Sequence, residues 1–103
     1  MKRKKSVRYD DYLNEQLKNS KKAEDYLKSA LQEKDPALFL LSLKQVIRAQ
    51  GGVAHIAEKT NKSRTSLYKA LSEDGNPGLR NIFDLLDAIN MDFSIKRRTH
   101  FQA

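Results

Sequence analysis

The sequence predicts an all-α protein in which five to six helices form one bundle. Apolar residues recur every three or four positions along most of the chain, as they do on the buried side of an amphipathic helix. Residues that cap or break helices separate these apolar groups. A chain of 103 residues can bury one core but is too short for two ordinary domains. These observations together predict a single helical domain.

Two short helices are predicted at the N-terminal end of this domain. The first begins near Asp10, and its apolar stripe has a spacing of four residues: Tyr9, Leu13 and Leu17. The second is capped by Ser20 and ends at Lys34. Its apolar stripe consists of Ala23, Leu27, Ala30 and Leu31, with Tyr26 beside them.

The stretch DPALFLLSLKQVIRAQGG predicts the central helix of the bundle. Asp35 is its expected N-cap, Pro36 stands at the first position where no amide is needed, and Gly51 can close the helix with a left-handed backbone. Apolar residues cover most of its circumference, so the helix is expected to lie at the centre of the core.

The C-terminal part predicts one more helix and a short strand. The helix runs from about Leu79 to Ile89 and is expected to bury Leu79, Ile82, Phe83, Leu86 and Ile89. The alternation of Phe93 and Ile95 in DFSIK indicates the strand. The expected organisation is therefore a basic flexible arm over residues 1–8, a helical domain over residues 9–91, and a strand or tail over residues 92–103.

Charge and composition indicate the class of partner and the cellular compartment. The net charge of +7 and the isoelectric point near 9.7 favour partners rich in phosphate. The chain has no cysteine, so it has no disulfide and no thiolate metal site. The longest apolar stretch, residues 37–41, is far shorter than the roughly 20 residues that a membrane span needs. We therefore expect a cytoplasmic protein, although KRKK near the start is also the pattern of a nuclear localisation signal.

Residues 53–71 predict a helix-turn-helix. Two short helices that cross steeply need a small residue in the first helix, an apolar residue in the second, and a break residue that tolerates left-handed φ. Ala57, Leu67 and Asn61 meet these three requirements. In this motif the second helix lies in the major groove of DNA, with its N-terminal residues toward the base edges.

The outward side of the second motif helix carries side chains suited to DNA. Arginine pairs well with guanine, and serine, threonine, tyrosine and lysine are frequent phosphate partners. The candidate DNA-binding residues are Lys62, Ser63, Arg64, Thr65, Ser66, Tyr68 and Lys69. Any amphipathic helix has a polar outer side, but residues 60–71 contain no acid, whereas a merely solvated face usually mixes both signs. This difference favours DNA contact.

A catalytic site is not expected. Hydrolysis needs a paired acid and base, an activated nucleophile or a metal cluster. His55 is expected on the outer side of the first motif helix and His100 lies in the tail. Asp84 and Asp87 share a helix face with Arg80, and together with Asp92 they suit a solvated acidic face. The sequence therefore predicts no enzyme activity, no cofactor and no metal.

The stretch GGVAHIAEKTNKSRTSLYKALSEDGNPGLRNIFDLLDAINM resembles the HigA-like antitoxins of bacterial toxin–antitoxin modules. It is most similar to the branch of addiction-module antidote proteins, whose DNA-binding part is a phage-repressor (Xre-type) helix-turn-helix. The likeness covers residues 9–91 and places the base-facing positions of that family on Arg64, Thr65 and Tyr68. Asn61 departs from it where glycine is common, and Lys62 departs where an apolar residue is usual.

The resemblance implies a bacterial cytoplasmic repressor that associates with the nucleoid when it is bound to its operator. It implies a homodimer that binds double-stranded DNA at an operator palindrome of its own operon and neutralises a RelE/ParE-like toxin. The dimer could form through the last helix, through DFSIK, or through both, and residues 10–34 could contact the toxin or only cover the third helix. The alternatives are a stand-alone phage-type transcriptional repressor and a helical protein-interaction module without DNA binding.

Overall fold

A computed structural model of the chain describes residues 2–60, 63–71 and 78–98, and among these it describes the side chains of all but residues 2–7, 60 and 70. The described residues form six α-helices and no strand. The helices are α1 (Lys2–Gln16), α2 (Ser20–Gln32), α3 (Pro36–Ala49), α4 (Gly52–Thr60), α5 (Arg64–Ala70) and α6 (Leu79–Ala88). The predicted all-helical bundle is confirmed.

Helix α3 lies at the centre, because it packs against α1, α2 and α4. The predicted start of α3 is confirmed: the Asp35 carboxylate accepts hydrogen bonds from the backbone N–H groups of Ala37 (3.0 Å) and Leu38 (3.4 Å), and Pro36 opens the helix. The core of the described part surrounds α3. Its buried apolar residues are Leu17, Ala23, Leu27, Ala30, Phe39, Leu43, Val46, Ile47, Ala49, Ile56, Ala57, Leu67, Leu85, Leu86, Ala88 and Ile89.

Helices α1 and α2 differ from the prediction at their N-terminal ends. Helix α1 begins at Lys2 rather than near Asp10, since lysine and arginine are good helix formers and nothing in the segment breaks the helix. That residues 1–8 act as a separate arm stays a prediction. The cap of α2 is Asn19 rather than Ser20: the Asn19 side chain accepts from the Lys22 N–H at 2.9 Å, and asparagine caps a helix as well as serine does.

A polar contact links α2 to α3 within the bundle. The Tyr26 hydroxyl donates a hydrogen bond to Oε1 of Gln45. Burial raises the pKa of Tyr26 above its usual range, and a hydrogen bond with Ser42, which is itself buried, opposes that shift. The contact joins the middle of α2 to the central helix.

The junction between α3 and α4 depends on two glycines with positive φ, Gly51 (115°) and Gly52 (85°). The predicted left-handed closure of α3 at Gly51 is confirmed. A Cβ atom on Gly51 would lie 2.5 Å from Cδ2 and 3.1 Å from Cβ of His55, which is exposed as predicted. A Cβ on Gly52 would meet no atom within 4 Å.

We expect Gly51→Ala to lower the free energy of unfolding by more than about 1 kcal/mol, because alanine is strained at positive φ and its methyl group collides with His55. Urea denaturation measures the loss. Gly52→Ala is the matched control, since it carries backbone strain without the collision and is expected to lose less. The double variant Gly51→Ala with His55→Ala should recover the part of the lost free energy of unfolding that is due to the collision. Equal losses at both glycines would contradict this account.

The chain leaves α6 through a left-handed residue, Asn90 (φ 63°). The Met91 N–H donates to the Leu86 carbonyl (2.9 Å) and the Asn90 N–H to the Asp87 carbonyl (2.9 Å), which is the hydrogen-bond pattern of a Schellman motif. The motif turns the chain back, so that the ring of Phe93 packs against other aromatic rings of the core region.

The predicted C-terminal strand is wrong for the described residues, because residues 91–98 have no regular structure. The Phe93 ring stacks on Phe39 at a centroid distance of 6.1 Å and meets the edge of Phe83 at 5.7 Å. A strand also needs a neighbour to supply its hydrogen bonds. The apolar alternation of DFSIK therefore serves side-chain packing at Phe93.

Several apolar side chains that the periodicity placed in the core are exposed instead. Leu31 is exposed on α2, and on α6 the exposed fractions are 63% for Leu79 and 46% for Phe83. The physical reason is that each of these helices packs on neighbours along only part of its circumference. In the described part of the chain, no helix is long and apolar enough to cross a membrane.

Candidate nucleic-acid interface

Helices α4 and α5 form the predicted pair of short helices, separated by residues 61–63. They pack against each other, and α6 packs against both. Ile56 and Ala57 are buried on α4, and Leu67 is buried on α5 with an exposed fraction of 3%. The inward roles predicted for Ala57 and Leu67 are confirmed. The predicted break residue Asn61 lies outside the described residues.

Ser63 sets the start of α5. Its backbone is extended (φ −67°, ψ 128°), and its Oγ accepts a hydrogen bond from the Ser66 N–H at 3.3 Å. Ser63 is therefore the N-cap of α5. Because the hydroxyl accepts in the cap, its O–H remains a donor for a further partner such as a phosphate oxygen.

The burial of Leu67 decides which side of α5 faces outward. Successive residues of a helix point in different directions, so a single anchored side chain orients its neighbours. All the described candidate residues lie exposed, with Tyr68 at 57%: Ser63, Arg64, Thr65, Ser66, Tyr68 and Lys69. Lys62, the remaining candidate, lies outside the described residues. We call the exposed side chains of Arg64, Thr65, Tyr68 and Lys69 the α5 face.

The cations of the α5 face differ from those of α2 in their surroundings. On α2, Lys21 pairs with Asp25 (3.4 Å) and Lys28 pairs with Glu24 (3.2 Å), which is the arrangement of a solvated helix surface. The ion pairs found among the described residues lie on α2 and at the end of α1, so Arg64 and Lys69 form none there. The α5 face thus carries two cations that form no ion pair within the described part of the chain.

A separate groove lies away from α5. It has a volume of about 630 Å³ and runs between α2, α3 and the residues after α6. Apolar side chains form much of its lining, among them Leu31, Phe39 and Met91, and no residue of α5 takes part. The sequence pattern does not indicate this groove, because the periodicity assigns its apolar residues to the core.

No group of three or more histidine, aspartate or glutamate side chains lies close enough to hold a metal ion within the residues that the structure describes. Asp87 and Asp92 are exposed on the surface. The predicted absence of catalysis and of metal stays a prediction.

The described residues form a small helical bundle. Its shortest helix, α5, presents a side that carries cations and no acid. Over residues 7–97 the chain matches the sequence family described as "Probable addiction module antidote protein". The chain belongs to that family. This implies a toxin as its partner and suggests a regulatory protein rather than an enzyme.

An uncharacterized protein of Haemophilus influenzae (strain ATCC 51907 / DSM 11121 / KW20 / Rd) is 34% identical over 83 residues. The aligned region covers 81% of this chain and 84% of that protein. No solved structure matches the chain significantly. The antidote part of the resemblance is confirmed, while the HigA-like branch and the phage-repressor type of the motif stay predictions.

Proposed function

We propose that this antidote protein binds the operator DNA of its own operon through the α5 face, acts as a homodimer, and neutralises a RelE/ParE-like toxin. The observation that carries DNA binding is the α5 face itself. Leu67 fixes its orientation, and the cations on it have no acid within residues 60–71. Arginine suits base edges, whereas serine, threonine, tyrosine and lysine suit phosphates.

Dimerisation follows from the size of this face. A helix of seven residues reaches few base pairs, so specific binding requires a second copy on the same side of the duplex. Two α5 helices would then lie about 34 Å apart, which is one turn of DNA, and the operator would be a pseudo-palindrome.

The toxin contact rests on family membership, and the RelE/ParE-like class rests on the resemblance. Helices α1 and α2 cannot be removed to test their part in it, because Leu17, Ala23 and Leu27 belong to the core around α3. A chain beginning at Pro36 would expose that core. Both proposed roles for residues 10–34, covering α3 and contacting the toxin, are compatible with this packing.

Two measurements on the full-length protein test the function. Titration of a duplex from the region upstream of its own gene should give tighter binding than a scrambled duplex of equal length, and affinity for both should fall steeply with salt. Co-expression with the product of the neighbouring reading frame should relieve the growth arrest that this product causes alone. Equal affinity for both duplexes at low salt, with growth still relieved, would favour the protein-interaction module. Specific DNA binding without relief would favour the stand-alone repressor.

A further inference from the structure

The outer side of α6 carries apolar side chains that no described part of the chain covers. Leu79 and Phe83 are one helical turn apart, so they lie on the same side of the helix. The ring of Phe93 extends this apolar surface, because it packs at 74° against the ring of Phe83. Ile95, two residues further along the chain, is fully exposed. Neighbouring exposed apolar side chains of this size mark an interaction surface rather than ordinary scatter.

Exposed charges of opposite sign, Arg80 and Asp87, flank this apolar surface, and the half-buried Asp84 lies on the same side of the helix. Arg80 and Asp87 are both exposed and lie seven residues apart, which is two turns of the helix, so they share one side with Phe83 between them. Within the described part of the chain, neither forms an ion pair. We call Leu79, Arg80, Phe83 and Asp87 the α6 face.

The order of these charges makes the α6 face complementary to itself. When two copies of α6 cross antiparallel about Phe83, Arg80 of each copy faces Asp87 of the other. A two-fold axis makes this contact twice, because residue i of one copy meets residue j of its partner and the reverse. The centre of such a contact is apolar and its edges are polar, as in protein interfaces generally.

We propose that the α6 face is the homodimer interface, in which two α6 helices cross antiparallel about Phe83. This inference rests on the homodimer of the proposed function and names the surface that forms it. It also links dimerisation to DNA binding, since α5 packs directly against α6. An interface on α6 would therefore fix the separation and orientation of the two α5 faces.

The apolar part is tested with Leu79→Glu, using sedimentation equilibrium of the full-length protein without DNA. Leu79 is 63% exposed at the first position of α6, where an acidic residue is favourable to the helix, so the fold should be retained. We expect the dimer dissociation constant to rise by about a hundredfold or more, because a charge would be buried between the two copies. Thermal denaturation with an unchanged midpoint for isolated protomers shows that the fold is intact.

The charged contacts of the proposed interface are tested by exchanging the charges of Arg80 and Asp87. Arg80→Asp alone and Asp87→Arg alone each set like charges opposite one another twice, and each should weaken the dimer by about tenfold. The double variant Arg80→Asp with Asp87→Arg restores opposite charges across the axis and should return the dissociation constant close to that of the wild type. Lys22→Asp is the matched control, because it makes the same change of charge as Arg80→Asp on an exposed residue of α2. It should leave the dimer unchanged.

The outcomes separate this inference from the function it rests on. A wild-type protein that sediments as a monomer overturns the homodimer and this interface together, whether or not it binds DNA. A wild-type dimer that Leu79→Glu leaves intact overturns the α6 interface and keeps the homodimer. Single charge variants that weaken the dimer without recovery in the double variant overturn the antiparallel crossing.

Discussion

Leu67→Ala is expected to lower the free energy of unfolding by about 2–5 kcal/mol, the range for removing most of a buried leucine side chain. Leu67 is 3% exposed and belongs to the core where α5 packs on α4 and α6. The substitution removes apolar contacts and leaves a cavity in their place. Alanine is at least as good a helix former as leucine, so the loss measures packing and not helix propensity. Urea denaturation followed by circular dichroism gives the value.

Tyr68→Ala is the control for this prediction, because Tyr68 is the next residue on the same helix and is 57% exposed. We expect its effect on the free energy of unfolding to stay within about 0.5 kcal/mol. If Leu67→Ala and Tyr68→Ala destabilise the protein equally, α5 is not anchored through Leu67. The orientation of the α5 face would then have no structural basis.

Arg64→Ala is expected to cost about 1–3 kcal/mol of operator binding for each half of the pseudo-palindrome, concentrated at one base pair in each half. The Arg64 side chain is exposed in the first turn of α5 and has no ion-pair partner among the described residues, so its removal should not change stability. Titration against a set of duplexes, each with one operator position changed, shows where the preference relaxes. Operator affinity equal to that of the wild type, with unchanged thermal stability, would show that the α5 face is an ordinary solvated surface.

Lys69→Ala distinguishes base contact from phosphate contact on the same face. Lys69 is also exposed, but a phosphate contact carries no sequence information. Its loss should therefore weaken binding to operator and scrambled duplex alike, and should lower the slope of log affinity against log salt by about one for each protomer, which is about two for the proposed dimer. A position-specific loss for Lys69→Ala would mean that lysine, too, contacts a base edge.

The sequence predicts most of the fold because the signals for it are local. Asp35 and Pro36 define the start of α3 through hydrogen bonds within one turn, and Ser63 defines the start of α5 in the same way. Leu67 follows from the apolar spacing of the same short segment. The choice between Asn19 and Ser20 as the cap of α2 is beyond local reasoning, since both side chains can accept the bond.

Exposure depends on which helices pack together, so the sequence predicts it less well. Leu79 and Phe83 share the apolar spacing of the buried residues of α6, but the neighbouring helices cover a different side. Apolar periodicity cannot separate a side chain that packs inside the protomer from one that packs on a partner, because both lose contact with water. For the candidate site, the same reasoning predicts which residues of α5 face outward, whereas contact with DNA depends on a molecule outside the chain.

On α5, the residue that packs in the core and the residues of the α5 face are different residues, and this has an evolutionary consequence. Leu67 holds the helix in place, while Arg64, Thr65 and Tyr68 are exposed to solvent. If the α5 face reads the operator as proposed, substitutions at these three positions should change the preferred operator without loss of stability. After a gene duplication, two copies could diverge in operator sequence through a few such steps, each passing through a folded protein. Sister modules in one genome would then avoid repressing each other while they keep the same scaffold.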